Sequence, residues 1–143
     1  MGVNQIMILR LCGTDRSVRS VCLLEEIIRE SIPLERLRIH LTIEDLAQSL
    51  REPRETTEVA VLVADNQEEL QAYVAMDELL DDVRIVIVLG CDADHLLSLA
   101  HKLRPRFLCL ADSDLTVVGM VLERMMKGGP FRGIRDKPCV AVM

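Results

Sequence analysis

Three short segments of this sequence are apolar at nearly every position: VAVLV (59–63), VRIVIVL (83–89) and RFLCLA (106–111). A strand with one face in water alternates apolar and polar residues, so these segments predict strands that are covered on both faces. Such strands are typical of a parallel sheet with helices packed against each side. The chain is therefore expected to fold as an α/β protein.

Amphipathic helices are predicted between these strands. The apolar residues of segment 18–32 recur mostly at spacings of three and four, the pattern of a helix with one buried face, and Pro33 ends it. A short helix with Thr42 as its cap is expected after the strand near 37–43, with Leu46, Ala47 and Leu50 facing inward. Further helices are expected near 66–80, 93–103 and 114–127. Each strand is thus followed by a helix, as in repeated βα units.

The first two strands differ from each other in pattern. QIMILRLC (5–12) is mainly apolar, whereas LRIHLTI (37–43) alternates strictly, with Arg38, His40 and Thr42 opposite its apolar side. This alternation predicts an edge strand with one solvated face, on which His40 is exposed. With right-handed crossovers, the expected architecture is a three-layer sandwich around a five-stranded parallel sheet of order 2-1-3-4-5, which is a flavodoxin-like fold.

Charge and composition exclude several classes of function. The formal net charge of −6 at pH 7 argues against a non-specific nucleic-acid binder, which would need a basic face. No apolar run is long enough to cross a bilayer and the N-terminus lacks a signal-peptide pattern, so a cytoplasmic protein with no membrane partner is expected. The five cysteines are scattered without a CxxC pair, so neither a metal site nor another cofactor is predicted.

The predicted topology brings the carboxyl ends of strands one, three, four and five to a single crevice, where chemistry is usually found in such sheets. The candidate crevice residues are Cys12, Asp15, Asp65, Gly90, Asp92 and Asp112. No GxGxxG follows the first strand, and no GxxxxGK[ST] is present. Dinucleotide sites and nucleoside triphosphate sites of those types are therefore not predicted.

The succession of elements resembles the receiver domain of bacterial response regulators over roughly residues 5 to 127. The resemblance rests on VAVLVAD, on VRIVIVLG and on HLLSLAHKLRPRFLCLADSDLTVVGMVLERMM. It implies a receiver-type fold and a role in two-component signal transduction. In that family an acidic pair after the first strand holds Mg²⁺, an aspartate at the end of the third strand accepts a phosphoryl group, and a Ser or Thr and a Lys contact the phosphate.

Most of those groups are missing from this sequence. The acidic pair would fall within RLCGT, the hydroxyl position falls on Gly90, and the lysine position falls on Leu110 and Ala111. Only Asp65, two residues beyond a strict match, is a candidate phosphoacceptor. The pattern favours a non-catalytic pseudo-receiver domain, which is not an enzyme and acts through protein–protein contacts with a partner that the sequence does not name.

Other interpretations accompany this one. The carboxylate of Asp65 is expected to cap the following helix, in which Asn66 and Glu69 have the spacing of a capping box. CGTDRS (12–17) is similar to the phosphocysteine loop of sugar-phosphotransferase IIB domains, so Cys12 is an alternative phosphoacceptor beside a helix start that could bind an anion. Phosphoryl transfer at Asp65 or at Cys12 is the competing hypothesis.

The last predicted helix is apolar almost all round, which predicts a second buried face and a homodimer. The candidate interface residues are Leu115, Val118, Met120, Val121, Leu122 and Met125. The expected organisation is a receiver-like domain over residues 1–127 and a C-terminal tail over 128–143. That tail either covers the last helix or leads to another domain.

Overall fold

A computed structural model of the chain describes residues 8–14, 18–52, 58–90 and 94–126. The strands are β1 (Ile8–Cys12), β2 (Leu37–His40), β3 (Glu58–Ala64), β4 (Val83–Leu89) and β5 (Phe107–Leu110). The helices are α1 (Val18–Arg29), α2 (Ile43–Leu50), α3 (Gln67–Ala75), α4 (Asp94–His101) and α5 (Thr116–Met126). Two 3-10 helices cover Leu34–Arg36 and Asp77–Leu80.

The strands form one five-stranded parallel sheet in the order β2-β1-β3-β4-β5. In the centre of the sheet, Val61 of β3 pairs with Leu11 of β1 on one side and with Val86 of β4 on the other. The predicted flavodoxin-like fold and its strand order are confirmed. Because all strands run the same way, their carboxyl ends share one edge of the sheet.

Two apolar layers cover the sheet, as the uniformly apolar strands predict. Val59, Val61 and Val63 belong to the layer that contains residues of α1 and α5. The alternate residues of β3, Ala60 and Leu62 among them, belong to the layer that contains residues of α2, α3 and α4. Successive residues of a strand point to opposite faces, which is why β3 is buried along its whole length.

The edge strand β2 differs from its prediction at His40. The strand stops at His40, and Thr42 then caps α2 by accepting a hydrogen bond from the backbone N–H of Asp45. His40 is only 6% exposed, whereas Ile39 and Leu41 are 37% and 51% exposed. The prediction of an exposed His40 was therefore wrong. Apolar alternation marks the two faces of a strand, but α2 and polar partners cover the face that carries His40.

The segment predicted as one helix near 66–80 is divided. Helix α3 ends at Ala75, and Met76 separates it from the 3-10 helix over Asp77–Leu80. Tyr73 and Leu80 are both buried, so the two pieces continue to cover the same side of the sheet. The apolar pattern predicted the buried residues correctly, but it did not predict the change from an α-helix to a 3-10 helix between them.

Helix α5 packs mainly into the core of its own chain. Five of the six candidate interface residues are buried beside residues of α1 and β3, namely Leu115, Val118, Val121, Leu122 and Met125. At its contact with α1, a Cβ added to Gly119 would lie 2.6 Å from Cγ2 of Ile27. This close approach covers much of the apolar face of α5, and Met120, which is 57% exposed, is the candidate interface residue left at the surface. The 128–143 tail lies outside the described residues.

Candidate functional site

The crevice lies where β1, β3, β4 and β5 end and the chain turns toward the next helix. Cys12 closes β1, Asp65 follows β3, Gly90 follows β4, and Asp112 comes shortly after β5. The parallel sheet thus brings these four predicted crevice residues to one edge. The other two candidates, Asp15 and Asp92, lie outside the described residues.

Glu69 connects the loop after β1 with the loop after β3. Its carboxylate accepts a hydrogen bond from the hydroxyl of Thr14 and a second one, of 2.7 Å, from the backbone N–H of Asp65. The side chain is buried although it lies in the first turn of α3. In the sequence, Glu69 stands out only for its capping-box spacing from Asn66. Its link to Thr14 spans 55 residues, so no local pattern could reveal it.

The cap of α3 is Asn66 and not Asp65. Asn66 Oδ1 accepts a hydrogen bond of 2.9 Å from the backbone N–H of Glu69. The reciprocal bond of Glu69 goes to the N–H of Asp65, one residue earlier than in a standard capping box. The predicted capping role of the Asp65 carboxylate was therefore wrong, and that carboxylate is exposed in the crevice.

Gly90 lies directly beside Asp65. The backbone N–H of Gly90 donates a 2.8 Å hydrogen bond to the carbonyl of Ala64, which draws the end of β4 against the end of β3. A Cβ built on Gly90 would overlap Oδ1 of Asp65 and would lie 3.0 Å from its Cα. A Ser or Thr at this position would have to displace the Asp65 carboxylate, so the missing hydroxyl and the placement of Asp65 are linked.

The end of β5 presents no cation among the described residues of the crevice. Leu110 and Ala111 occupy the lysine position, and Ala111 N–H donates to the carbonyl of Leu89 at 2.7 Å. Lys102 comes directly after α4 and before β5, at the opposite end of the sheet. Asp112 is exposed. Asp114 lies just before α5, and its carboxylate accepts hydrogen bonds from the backbone N–H and the hydroxyl of Thr116. These hydrogen bonds lower the pKa of Asp114.

Cys12 is fully buried beneath the crevice. Its thiol lies 3.8 Å from the carbonyl oxygen of Thr42 and 3.5 Å from the hydroxyl of Tyr73, which also donates to the carbonyl of Val63 at 3.0 Å. Burial raises the pKa of the Cys12 thiol to about 11, and burial likewise raises the pKa of Tyr73. A nucleophilic cysteine needs a low pKa and access to solvent, so the geometry does not support Cys12 as a phosphoacceptor.

A second polar cluster lies under α2, where the sequence predicted none. Arg10 of β1 forms a two-point ion pair with Glu58 of β3: Nε to Oε1 at 2.7 Å and Nη2 to Oε2 at 3.2 Å. Its Nη1 lies 2.6 Å from Oγ of Ser49 and 3.1 Å from Nε2 of His40. Nδ1 of His40 in turn lies 2.6 Å from Oδ2 of Asp45. We call these five residues the Arg10 cluster.

The described residues contain no group of three or more His, Cys, Asp or Glu placed to hold a metal ion. Across the same part of the chain, no helix has the length and apolarity needed to cross a membrane.

Comparison with known proteins relates the chain by its fold. No family model matches the sequence, and no curated protein matches it. A solved structure from Burkholderia pseudomallei K96243, assigned as a pilus assembly-related protein, superposes with a TM-score of 0.60 at 15% identity, over 92% of this chain and 98% of that one. A second structure, assigned as the pilus assembly protein CpaE of Burkholderia thailandensis E264, gives a TM-score of 0.57 at 16% identity, over 85% and 99%. At these identities the comparisons establish a shared fold.

Proposed function

We propose that this chain is a pseudo-receiver domain, a receiver-like module that does not take up a phosphoryl group and works by binding other proteins. The observation that carries the proposal is the contact between Asp65 and Gly90. The candidate acceptor carboxylate lies against a residue without a side chain, at the place where a phosphoryl group would need a hydroxyl partner.

The rest of the crevice supports the same interpretation. Glu69, the buried carboxylate nearest to Asp65 in sequence, is engaged by Thr14 and by the Asp65 backbone. The end of β5 offers Leu110 and Ala111 where a lysine would be needed to stabilise phosphoryl charge. Within the described part of the chain, the crevice therefore holds two strand loops together and offers neither a hydroxyl at position 90 nor a lysine at the end of β5.

Protein assembly is the setting that the fold comparison suggests. Both neighbouring structures are assigned to pilus assembly. A receiver-like domain in such a system would act as a docking module in signalling rather than as an enzyme. Self-association stays part of the proposal, and Met120 is the candidate interface residue that is exposed. Light scattering should find a dimer that Met120→Glu converts to a monomer, whereas a monomeric wild-type chain would remove self-association from the proposal.

Phosphorylation chemistry provides the direct test. The purified chain is incubated with acetyl phosphate and Mg²⁺ beside a conventional receiver domain, and intact mass is measured for both. We expect the conventional domain to gain one phosphoryl group and this chain to gain none.

Two variants make the outcome specific. An adduct on the wild-type chain that is lost in Asp65→Asn and kept in Asp112→Asn would show a phosphoacceptor at Asp65 and overturn the proposal. Asp112 is the matched control because it is also an exposed aspartate at a strand end.

A further inference from the structure

Helix α2 is held to the sheet at two points by polar side chains. In its first turn, Asp45 contacts Nδ1 of His40 at 2.6 Å. One turn later, Ser49 accepts a 2.6 Å hydrogen bond from Nη1 of Arg10. The same Nη1 lies 3.1 Å from Nε2 of His40, so the two attachment points are joined and the contacts form a closed ring through the helix.

The ring is compatible with one protonation state of His40. A guanidinium has five N–H donors and no acceptor, so Nε2 of His40 must accept the hydrogen bond from Arg10. The proton of the neutral imidazole then resides on Nδ1 and is donated to Asp45. The two hydrogens on Nη1 of Arg10 are directed to Ser49 and to His40.

A second proton on His40 would open this ring at one contact. Nε2–H and the Arg10 guanidinium would then be two cationic donors facing each other, with no acceptor between them. Asp45 would still be a favourable partner for the imidazolium, and Glu58 would still hold Arg10 by its two-point ion pair. Attraction to Asp45 and repulsion from Arg10 therefore move His40 away from Arg10. Because His40 binds Asp45 and Arg10 binds Ser49, this separation disturbs both contacts that dock α2 on the sheet.

The other groups next to His40 do not absorb the added charge. Cys12 pairs with His40 across β1 and β2, and burial raises the pKa of its thiol to about 11, so it stays neutral. Arg38, on the same strand, is exposed and donates to the carbonyl oxygens of Glu35 and Leu37. The ion pair and α2 complete the surroundings of the ring.

We propose that protonation of His40 controls how helix α2 is docked on the sheet. With a neutral His40 the ring is closed and α2 is held along its length. With a charged His40 the Arg10 contact breaks and α2 loosens. Histidine is the side chain whose ordinary charge change lies between about pH 5 and pH 8, so that range is the one in which the proposal is tested. This inference concerns α2 and does not depend on whether the crevice accepts a phosphoryl group.

Amide hydrogen exchange measures the loosening directly. Protection factors, corrected for the pH dependence of intrinsic exchange, are compared at about pH 7.5 and about pH 5.5 for the wild-type chain. We expect the amides of α2, from Leu46 to Leu50, to lose protection by about threefold or more at the lower pH, while those of β3 hold theirs.

Matched variants assign the effect to His40. His40→Gln can accept from Arg10 and donate to Asp45 without taking a proton, so its α2 protection should not change between the two pH values. The double variant His95→Gln/His101→Gln removes the other two histidines of the chain and should behave as the wild type does. Unchanged or increased α2 protection at the lower pH in the wild type, or the same loss in His40→Gln, contradicts the proposal.

A spectroscopic readout needs no variant at position 40. Imidazole ¹⁵N shifts of the wild-type chain above neutral pH should show a proton on Nδ1 of His40 and none on Nε2. A proton on Nε2 in that state would exclude the closed ring, and the proposal with it.

Discussion

The strand-end crevice and the Arg10 cluster are both polar, but they differ in how they are built. In the crevice, Asp65 and Asp112 are exposed and the main hydrogen bonds serve loops and helix starts. In the Arg10 cluster, Arg10, His40 and Glu58 are buried and meet from three strands. The crevice, which the sequence suggests as a reactive site, thus mainly holds loops and helix starts in place. The Arg10 cluster, which no sequence motif indicates, contains the buried charges.

Buried charge explains why this difference matters. A buried ion pair is strongly disrupted when one partner is lost, because the other charge is left without compensation in a medium of low dielectric constant. An exposed carboxylate such as Asp65 keeps its hydration whatever its neighbours do. Substitutions in the two regions should therefore have very different consequences for stability.

The largest expected effect is that of Arg10→Met. This change leaves Glu58 buried without a partner and removes the donor that binds Ser49 and His40, so the free energy of unfolding should fall by about 3–5 kcal/mol. Urea denaturation followed by circular dichroism measures it. The matched control is Arg29→Met, because Arg29 forms an i,i+4 ion pair with Glu25 at the surface. That variant should lose about 0.5 kcal/mol or less.

A companion variant distinguishes lost pairing from lost packing. Arg10→Met combined with Glu58→Leu removes both charges and should recover most of the stability that Arg10→Met loses. A single variant that costs under about 1 kcal/mol would mean that the cluster is hydrated in solution, and the contrast between the two regions would then disappear.

The next effect concerns the reactivity of two cysteines. Because the pKa of Cys12 is raised to about 11 from an ordinary value of 9.0, its thiolate fraction near pH 8 is lower by about a hundredfold. Cys22 is exposed on α1. Iodoacetamide at pH 8, followed by peptide mass mapping, should therefore label Cys22 at least about a hundred times faster than Cys12 in the folded chain.

The raised pKa of Cys12 also makes the stability of the fold depend on pH. Between pH 9 and pH 11 the unfolded chain loses the Cys12 proton while the folded chain keeps it, so stability should fall as the pH rises through this window. Equal labelling of Cys12 and Cys22 under native conditions would show an open crevice floor and would restore Cys12 as a candidate nucleophile.

The smallest expected effect separates Asp65 from its neighbour. Asn66→Ala removes the cap of α3 and should lower the free energy of unfolding by about 1 kcal/mol. Asp65→Ala removes an exposed carboxylate and should change it by about 0.5 kcal/mol or less. Thermal or urea unfolding of both variants makes the comparison. A larger loss of unfolding free energy in Asp65→Ala than in Asn66→Ala would instead show that Asp65 caps α3, and that its carboxylate is not exposed in the crevice.

Much of the fold followed from the sequence for a simple physical reason. Strands that are covered on both faces must be apolar throughout, and VAVLV and VRIVIVL satisfy that condition with few alternatives. The single alternating strand indicated the edge, and right-handed crossovers then left few possible orders. The residue types at two strand ends, Gly90 after β4 and Leu110 and Ala111 at β5, could also be read from the sequence, because they need no knowledge of contacts.

Side-chain partners could not be predicted in the same way. His40 was expected in solvent because it is polar and alternates with apolar residues, yet Arg10 lies 30 residues away and makes its burial possible. The apolar residues of α5 suggested a partner chain, and most of them are buried within the chain, where Gly119 lets α1 approach closely. Self-association stays a prediction. In both cases the contacts join elements that are distant in the sequence.

The α/β architecture, the strand order and the absence of a lysine near the end of β5 all follow from the amino-acid sequence, since they depend on apolar periodicity and on residue identity. The hydrogen-bond partners of the buried polar groups follow from the three-dimensional arrangement, because a hydrogen bond depends on distance and direction between elements. In the structure, Asn66 and not Asp65 caps α3, Cys12 is buried, and Arg10 contacts His40 beneath α2.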